Sequence, residues 1–305
     1  MREDCPYAEP TASNIKSLEA VLYYAWEREV IRIVKSRGGE KPWTKDPVLS
    51  KYKFTNIRRR DDRVSKWLIE NIIEPFEKRD DLWFTLLIAR LINWPPTLQH
   101  LLEEKVIPCS PTEFSPTRFS ESVERFRASG VKSYSGAYMV YPTRLNNGGV
   151  KSLALAQHII APTVVLGTDL SEIACGSVPS VGSFVTALSN SFGISTFMAG
   201  QVAADLTYSS YHLGPAYDLY TFAPIGPGSS AGLNLMLGRK PTAKWGQNEF
   251  NMELIKVRNA IIDKLEIEDL TLHDVQNIMC EYSKYARAVL GEINPKNIYT
   301  PEMEF

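Results

Sequence analysis

The sequence predicts a mainly α-helical fold. Three observations carry this. Apolar residues recur at nearly 3.6-residue spacing along several stretches, Gly and Pro punctuate those stretches, and strand-like signals are weak. The 305 residues are 44% hydrophobic and 23% charged, an ordinary globular composition that excludes a disordered, collagenous or coiled-coil chain. Such a length suits a single helical domain, 1–305, divisible into two lobes of about 1–115 and 116–305.

The elements follow in order. Residues 14–35 carry Ile15, Leu18, Leu22, Ala25, Val30 and Ile33 near a 3.6 period, with Ser13 or Asn14 to cap the start and Gly38-Gly39 to stop it. Pro42 and Pro47 lie in a connecting loop. Two further helices are read at 62–76 and 81–94, parted at Pro75 and ended by Pro95-Pro96; Val64, Trp67, Leu68 and Ile72 form one apolar stripe. Residues 107–117, rich in Pro, Ser and Thr, read as a loop or lobe boundary. Residues 152–160, 183–190, 197–208, 251–265 and 272–290 suit helices, and 139–141 and 163–166 are the two candidate short strands.

No apolar stretch approaches the 18 or more residues that span a bilayer, and the N-terminus MREDCPYAEP lacks the apolar core of a signal peptide. Cys5, Cys109, Cys175 and Cys280 form no CxxC pair and read as reduced thiols in a cytoplasm. His100, His158, His212 and His273 show no HxxxH or HExxH spacing, so no protein-bound catalytic metal is expected.

The net charge of −1 conceals an uneven distribution. Residues 51–66 hold seven basic and two acidic residues, a net of +5, whereas 249–305 hold eleven acidic and six basic, a net of −5. Residues 141–238 hold six charges but twelve of the 18 glycines, so backbone can approach a ligand closely there.

Four constellations could carry chemistry. In 51–66, Lys51, Lys53, Arg58, Arg59, Arg60 and Arg63 interleave with Tyr52 and Phe54; the cations suit phosphate, the rings suit base stacking, and Asn56 suits a base edge. The alternative is a solvated loop before a helix, with Asp61 and Asp62 favouring that helix's start. In 192–206, a turn at Gly193 opens a helix whose first amides can hold a phosphate oxygen, and Gln201, Asp205 and Tyr208 share one face. Asp205 lies in an uncharged setting that suits a general base; the alternative is a hydrogen-bonded or solvent-facing carboxylate. In 225–234, Gly226-Pro227-Gly228 enters a helix that Ser229 or Ser230 can cap. It resembles the hairpin loop of helix-hairpin-helix DNA binders, or it is a plain turn, and no GxxxxGK[ST] P-loop occurs. In 274–287, Glu281, Lys284 and Tyr285 fall within about one helical turn, followed by Arg287; they line a site or form an i,i+3 salt bridge.

Taken together these segments resemble the phage α-glutamyl/putrescinyl thymine pyrophosphorylases, or amino acid:DNA transferases, which are related to the helical domain of 5-hydroxymethyluracil DNA kinases. The resemblance rests on Phe54-Thr55-Asn56, Arg58, Asp62-Arg63, Arg90-Leu91-Ile92-Asn93-Trp94 and Tyr134-Ser135-Gly136-Ala137-Tyr138-Met139. It continues through Gly193-Ile194, Gln201, Asp205-Leu206, Gly226-Pro227-Gly228 and the segment 274–287, covering roughly residues 15–290. The sequence departs from the pattern at Ser195-Thr196, where Gly or Pro is expected.

The resemblance implies a helix-hairpin-helix glycosylase-like helical fold and base flipping on double-stranded DNA that carries a modified uracil. Its substrate would bear pyrophosphate on the 5-methyl carbon, displaced by an amino acid or a polyamine. The phosphorylated base would be made by a separate 5-hydroxymethyluracil DNA kinase, and the place of work would be the cytoplasm of a phage-infected bacterium, away from membranes. No cofactor is implied beyond a Mg2+ that can accompany pyrophosphate.

Under this reading Asp205 is the general base, with Glu281 second and Gln201 beside them. Gln201 and Asn56 would hydrogen-bond the flipped base, with Tyr208 nearby; Tyr138 would stack or touch phosphate, or is an ordinary tyrosine. Arg58, Arg63 and Lys284 would neutralise pyrophosphate, helped by amides near Gly193, Gly226 and Gly228 with Ser229 and Ser230. Arg287 would join the phosphate contacts, and Arg144, Lys151 or Arg287 could hold an amino-acid carboxylate. Two other readings compete. A helix-hairpin-helix glycosylase would want an Asp downstream of the loop, where the chain offers Asn248, Glu249 and Asn251. A non-catalytic DNA-binding module would need only the basic segment.

Overall fold

Ser17 opens the first helix, α1 (Leu18–Ser36), by accepting the Ala20 N–H on its hydroxyl. Ser13 and Asn14 do not cap it, because both are spent in a preceding turn with Thr11. The structure is a computed structural model that describes residues 5–135, 149–293 and 295. After α1 come α2 (Pro47–Lys51), a 3-10 turn (Arg59–Asp61) and α3 (Arg63–Leu68), which runs on as a π-helical segment (Ile69–Ile73). Then follow α4 (Leu82–Ile92), α5 (Pro95–Glu103), α6 (Pro116–Ala128), α7 (Lys151–Leu155), α8 (Gly167–Cys175), α9 (Val181–Ser189), α10 (Thr196–Leu206), α11 (Pro227–Met236), α12 (Gln247–Leu265) and α13 (Leu272–Val289).

The prolines read as helix stops are helix starts as well. Asn93 ends α4 in the left-handed region (φ 48°), and Pro95 then occupies the first turn of α5. Pro116 does the same for α6, whose start Ser115 caps. No strand occurs among the described residues. Residues 163–166 lie in a 3-10 segment (Ala161–Leu166) instead of a strand, and 139–141 lie outside the described residues.

The run Lys151–Cys175 is helical throughout and 25 residues long, and an 18-residue window of it has a mean hydropathy of 1.4, so by length and composition it could cross a membrane, contrary to the sequence expectation. Counting uninterrupted apolar residues missed it, because Ser, Thr, Gln and His break the run into short apolar pieces. Its Leu155, Ile159, Ile160 and Leu170 are buried in the protein's own core.

The chain divides into two compact units, one of residues up to Asp62 together with those from Ile225 on, the other Arg63–Pro224. The boundaries do not fall near residue 115, because α1 packs on α12 and α13 from the far end of the chain. In the first unit Tyr24, Phe54, Tyr282 and Tyr285 form an aromatic core, with Tyr24 and Tyr285 centroids 5.1 Å apart. The Tyr282 hydroxyl donates to the Ile15 carbonyl. In the second unit α4 is buried along its whole length and packs on α10, itself buried from Met198 to Leu206. Two helices so enclosed leave no polar face; Arg90 of α4 and Asp205 of α10 pair with each other inside the core, while the Thr85 hydroxyl of α4 is buried without a hydrogen-bond partner among the described residues.

Candidate functional site

In the first unit, the segment Phe54–Asp62 lies against α1 and α13. Arg28 of α1, 3% exposed, donates to the carbonyls of Phe54 (2.9 Å) and Thr55 (3.1 Å) and to the Asn56 side-chain oxygen (3.4 Å). From α13, Glu281 accepts the Thr55 N–H (3.3 Å), Asn277 donates to the Thr55 hydroxyl (2.9 Å) and Asp274 accepts the Arg59 N–H (2.8 Å). Lys284 bonds Glu281 at 2.6 Å and sits 4.5 Å from the Phe54 ring centroid. Two stretches more than 200 residues apart thus form one polar cluster.

Asp62 completes it. Its carboxylate accepts the Asn56 N–H at 2.8 Å, while the Asn56 amide donates to the Asp61 carbonyl. Burial pushes the Asp62 carboxyl up to about 6; the Asn56 N–H and the charges of Arg59 and Arg28 oppose that, and Glu281 adds to it. A carboxyl near 6 beside a second carboxylate and two amides suits proton acceptance near neutral pH. In sequence Asp62 stood out as a helix-start charge and within the Asp62-Arg63 match, but not as a buried carboxyl, since burial leaves no mark in sequence.

The basic segment is not the open cationic, aromatic surface its composition suggested. Tyr52, Phe54, Ile57 and Arg59 are buried, so neither ring is available to a base. Arg58 pairs with Glu29 at 2.9 Å and bonds the Glu268 carbonyl. Burial pushes the Glu29 carboxyl up, but the Arg32 and Arg58 guanidiniums outweigh it and hold the carboxyl below its usual range. Arg287, exposed, pairs with Glu292.

Gly226-Pro227-Gly228 leads out of irregular backbone, residues 207–226, and does not join two helices. Gly226 is itself the N-cap; neither Ser229 nor Ser230 caps α11, and the Ser229 hydroxyl donates to the Gly226 carbonyl. The glycines permit close packing instead. A Cβ on Gly228 would lie 2.3 Å from Cys280 Sγ, and one on Gly232 2.1 Å from the Met279 carbonyl oxygen of α13.

In the second unit, Asp205 is fully buried and bound bidentately by Arg90, Nε to Oδ2 and Nη2 to Oδ1, each 2.5 Å. Arg90 also bonds Asn93 and Ser65, and Asn93 donates to Ser135. The general-base expectation for Asp205 therefore meets a carboxylate with no exposure and both oxygens occupied. Gln201 is buried on the same helix, and Tyr208 packs half-buried on the core. Gly193 takes φ +77° in the turn before α10, where Ser195 caps the helix through the Met198 N–H; a Cβ on Gly193 would strike Ile159. Arg63, at the start of α3, is exposed. Tyr138 and Arg144 lie outside the described residues.

Structure thus sorts the predicted residues into two groups: Asn56, Arg58, Glu281 and Lys284 in the first unit, Gln201 and Asp205 in the second. Two clefts of the second unit, about 330 and 520 Å³, are lined by none of them. Among the described residues no cluster of three or more His, Cys, Asp or Glu could hold a metal.

The family model described as 5-hmdU DNA kinase, helical domain, matches residues 16–295. A 5-hmdU DNA kinase of Bacillus phage SP10 is 25% identical over 288 residues, covering 85% of this chain and 42% of that protein. The chain therefore spans less than half the length of that relative. No solved structure matches.

Proposed function

The chain belongs to the 5-hmdU DNA kinase helical-domain family, and on that premise we propose that it acts on modified thymine bases in phage DNA as a transferase. Its substrate would be a DNA uracil bearing pyrophosphate on the 5-methyl carbon, and its second substrate an amino acid or polyamine. The amine nitrogen attacks that carbon, the carbon–oxygen bond breaks, and pyrophosphate leaves with the bonding electrons. The nitrogen sheds one proton. No redox partner is needed.

The observation that carries this reading is the Asn56–Asp62–Glu281–Lys284 cluster. Asp62 or Glu281 accepts the amine proton, Asn56 and Asn277 supply amides for a base edge, and Lys284 offsets the negative charge of the leaving group. Asp205 is assigned a positioning role, holding α10 to α4 through Arg90, with Gln201 beside it. Arg63 is kept as a phosphate contact. A Mg2+ would enter with pyrophosphate, outside any protein-held site.

The test is nucleoside mass spectrometry after incubating the protein with pyrophosphorylated DNA and a mixture of amines, with pyrophosphate release followed in parallel. A new amine-bearing nucleoside that needs both substrates supports the transferase. Abasic sites would support a glycosylase instead. Unchanged DNA that nevertheless binds the protein would favour a non-catalytic module, and full turnover in a D62N/E281Q variant whose fold is intact would remove both carboxylates from the transfer.

A further inference from the structure

Of the cations that composition marked for DNA, Arg58 and Arg59 are committed inside the first unit, by the Glu29 pair and by burial respectively. An adjoining stretch is charged differently. Lys35, Arg37, Lys41 and Lys45, then Lys51 and Lys53, are all exposed; the acidic residues between them are Glu40, exposed, and Asp46, buried. Asp46 is spent as the cap of α2 and as the acceptor of the Tyr285 hydroxyl. Six exposed cations therefore stand against one exposed carboxylate on one continuous stretch.

That stretch is held in shape. The Trp43 indole donates to the Gly39 carbonyl at 2.7 Å, and the ammonium groups of Lys35 and Lys41 lie 4.7 and 4.9 Å from the Trp43 ring centroid. Thr44 donates to Glu27 of α1, and the Asp46 N–H bonds back to Thr44. Fixed cations lose less entropy on meeting phosphates than cations on a loose tail. At its other end the stretch reaches the polar cluster, where Lys284 donates to the Lys53 carbonyl.

We infer that residues 35–53 form the surface of the first unit that meets the phosphate backbone of duplex DNA, leading toward the cluster at Asn56 and Glu281. This rests on the proposed DNA-acting function. Lysines and arginines at this density bind phosphates without reading sequence, so the surface supplies affinity, and base choice lies elsewhere.

The test uses fluorescence anisotropy of the whole chain on a DNA duplex over a range of salt. The variant R37Q/K45Q/K51Q/K53Q spares Lys35, Lys41 and Trp43, so the loop keeps its packing, and unchanged thermal melting checks that. Affinity should fall about tenfold or more near 0.1 M salt, and the slope of log K against log salt should flatten by about 3 to 4, close to one per lost contact. If wild type binds DNA and the variant matches it in both affinity and slope, the surface is wrong while the DNA reading stands. If wild type binds no DNA at any salt, the DNA reading itself fails. Binding to phosphatidylserine vesicles in place of DNA would overturn the assignment in favour of a membrane surface.

Discussion

Arg90 and Asp205, 115 positions apart in the chain, lock face to face as a bidentate ion pair in the core of the second unit, at 3% and 0% side-chain exposure. Their helices are the two most enclosed in that unit, so the pair is bought with the desolvation of both charges and is costly to break from one side only. Asp205→Ala should destabilise the protein by about 3–5 kcal/mol, because it leaves a buried guanidinium without its counter-charge. A double variant R90M/D205L should recover much of that loss. Urea denaturation of the three variants checks both; a D205A protein as stable as wild type would refute the role.

The α11–α13 contact predicts two graded effects. Gly232→Ala drives a methyl against backbone that cannot yield, the Met279 carbonyl, and should cost about 1–3 kcal/mol. Gly228→Ala meets a side-chain sulfur, so C280A should relieve part of its cost. A double-mutant cycle for Gly228 and Cys280, read by thermal melting, should show coupling of favourable sign. Strict additivity would mean that the helices are not held this closely.

Helical periodicity made the class legible, and most of the long helices lie where 3.6-residue spacing placed them, as with 272–290 against Leu272–Val289. Boundaries failed where a residue had two meanings. Pro95 stops nothing that it does not also start, Pro116 opens a helix at the end of what reads as a loop, and Ser13 and Asn14 are capable caps diverted into a turn. The site was legible as residue types but not as partners. Asn56 and Glu281 were both singled out, yet nothing in sequence says that Thr55 bridges to Glu281 or that Arg28, an unremarked residue of α1, gathers three oxygens of residues 54–56. Burial is equally silent: the same composition that gave Tyr52 and Phe54 a stacking role suits them to an aromatic core, and only tertiary packing chooses.

His273 sits fully buried near the start of α13, and neither ring nitrogen has a hydrogen-bond partner. Burial, with the nearby Arg59 charge, drives its imidazole down to about 3. The folded state therefore holds it neutral, whereas the unfolded chain takes up a proton below its ordinary value of 6.5. The contribution is fully present above that value and is lost as pH falls toward 3, at up to about tenfold in the folding constant per pH unit. His273→Leu should flatten stability against pH between 6.5 and about 4, measured by denaturant midpoints. An unchanged slope would place the acid sensitivity in other groups.

Asp62 makes a prediction for turnover. Its carboxyl titrates near 6 in the folded protein because burial outweighs the Asn56 N–H and the neighbouring guanidiniums. As the proton acceptor of the proposed transfer it works only when ionised, so pyrophosphate release should rise as pH climbs through about 6. The amine substrate also needs to lose a proton, and its limb lies at higher pH with the amine's own value. The two limbs are separable. In D62N the limb near 6 should vanish while the amine limb remains on a much lower rate, by about 10²–10⁴-fold. D62E should keep the limb and part of the rate. If D62N retains both the rate and the limb near 6, Asp62 is a structural carboxyl and the proton passes to Glu281, whose own E281Q variant would then carry the loss.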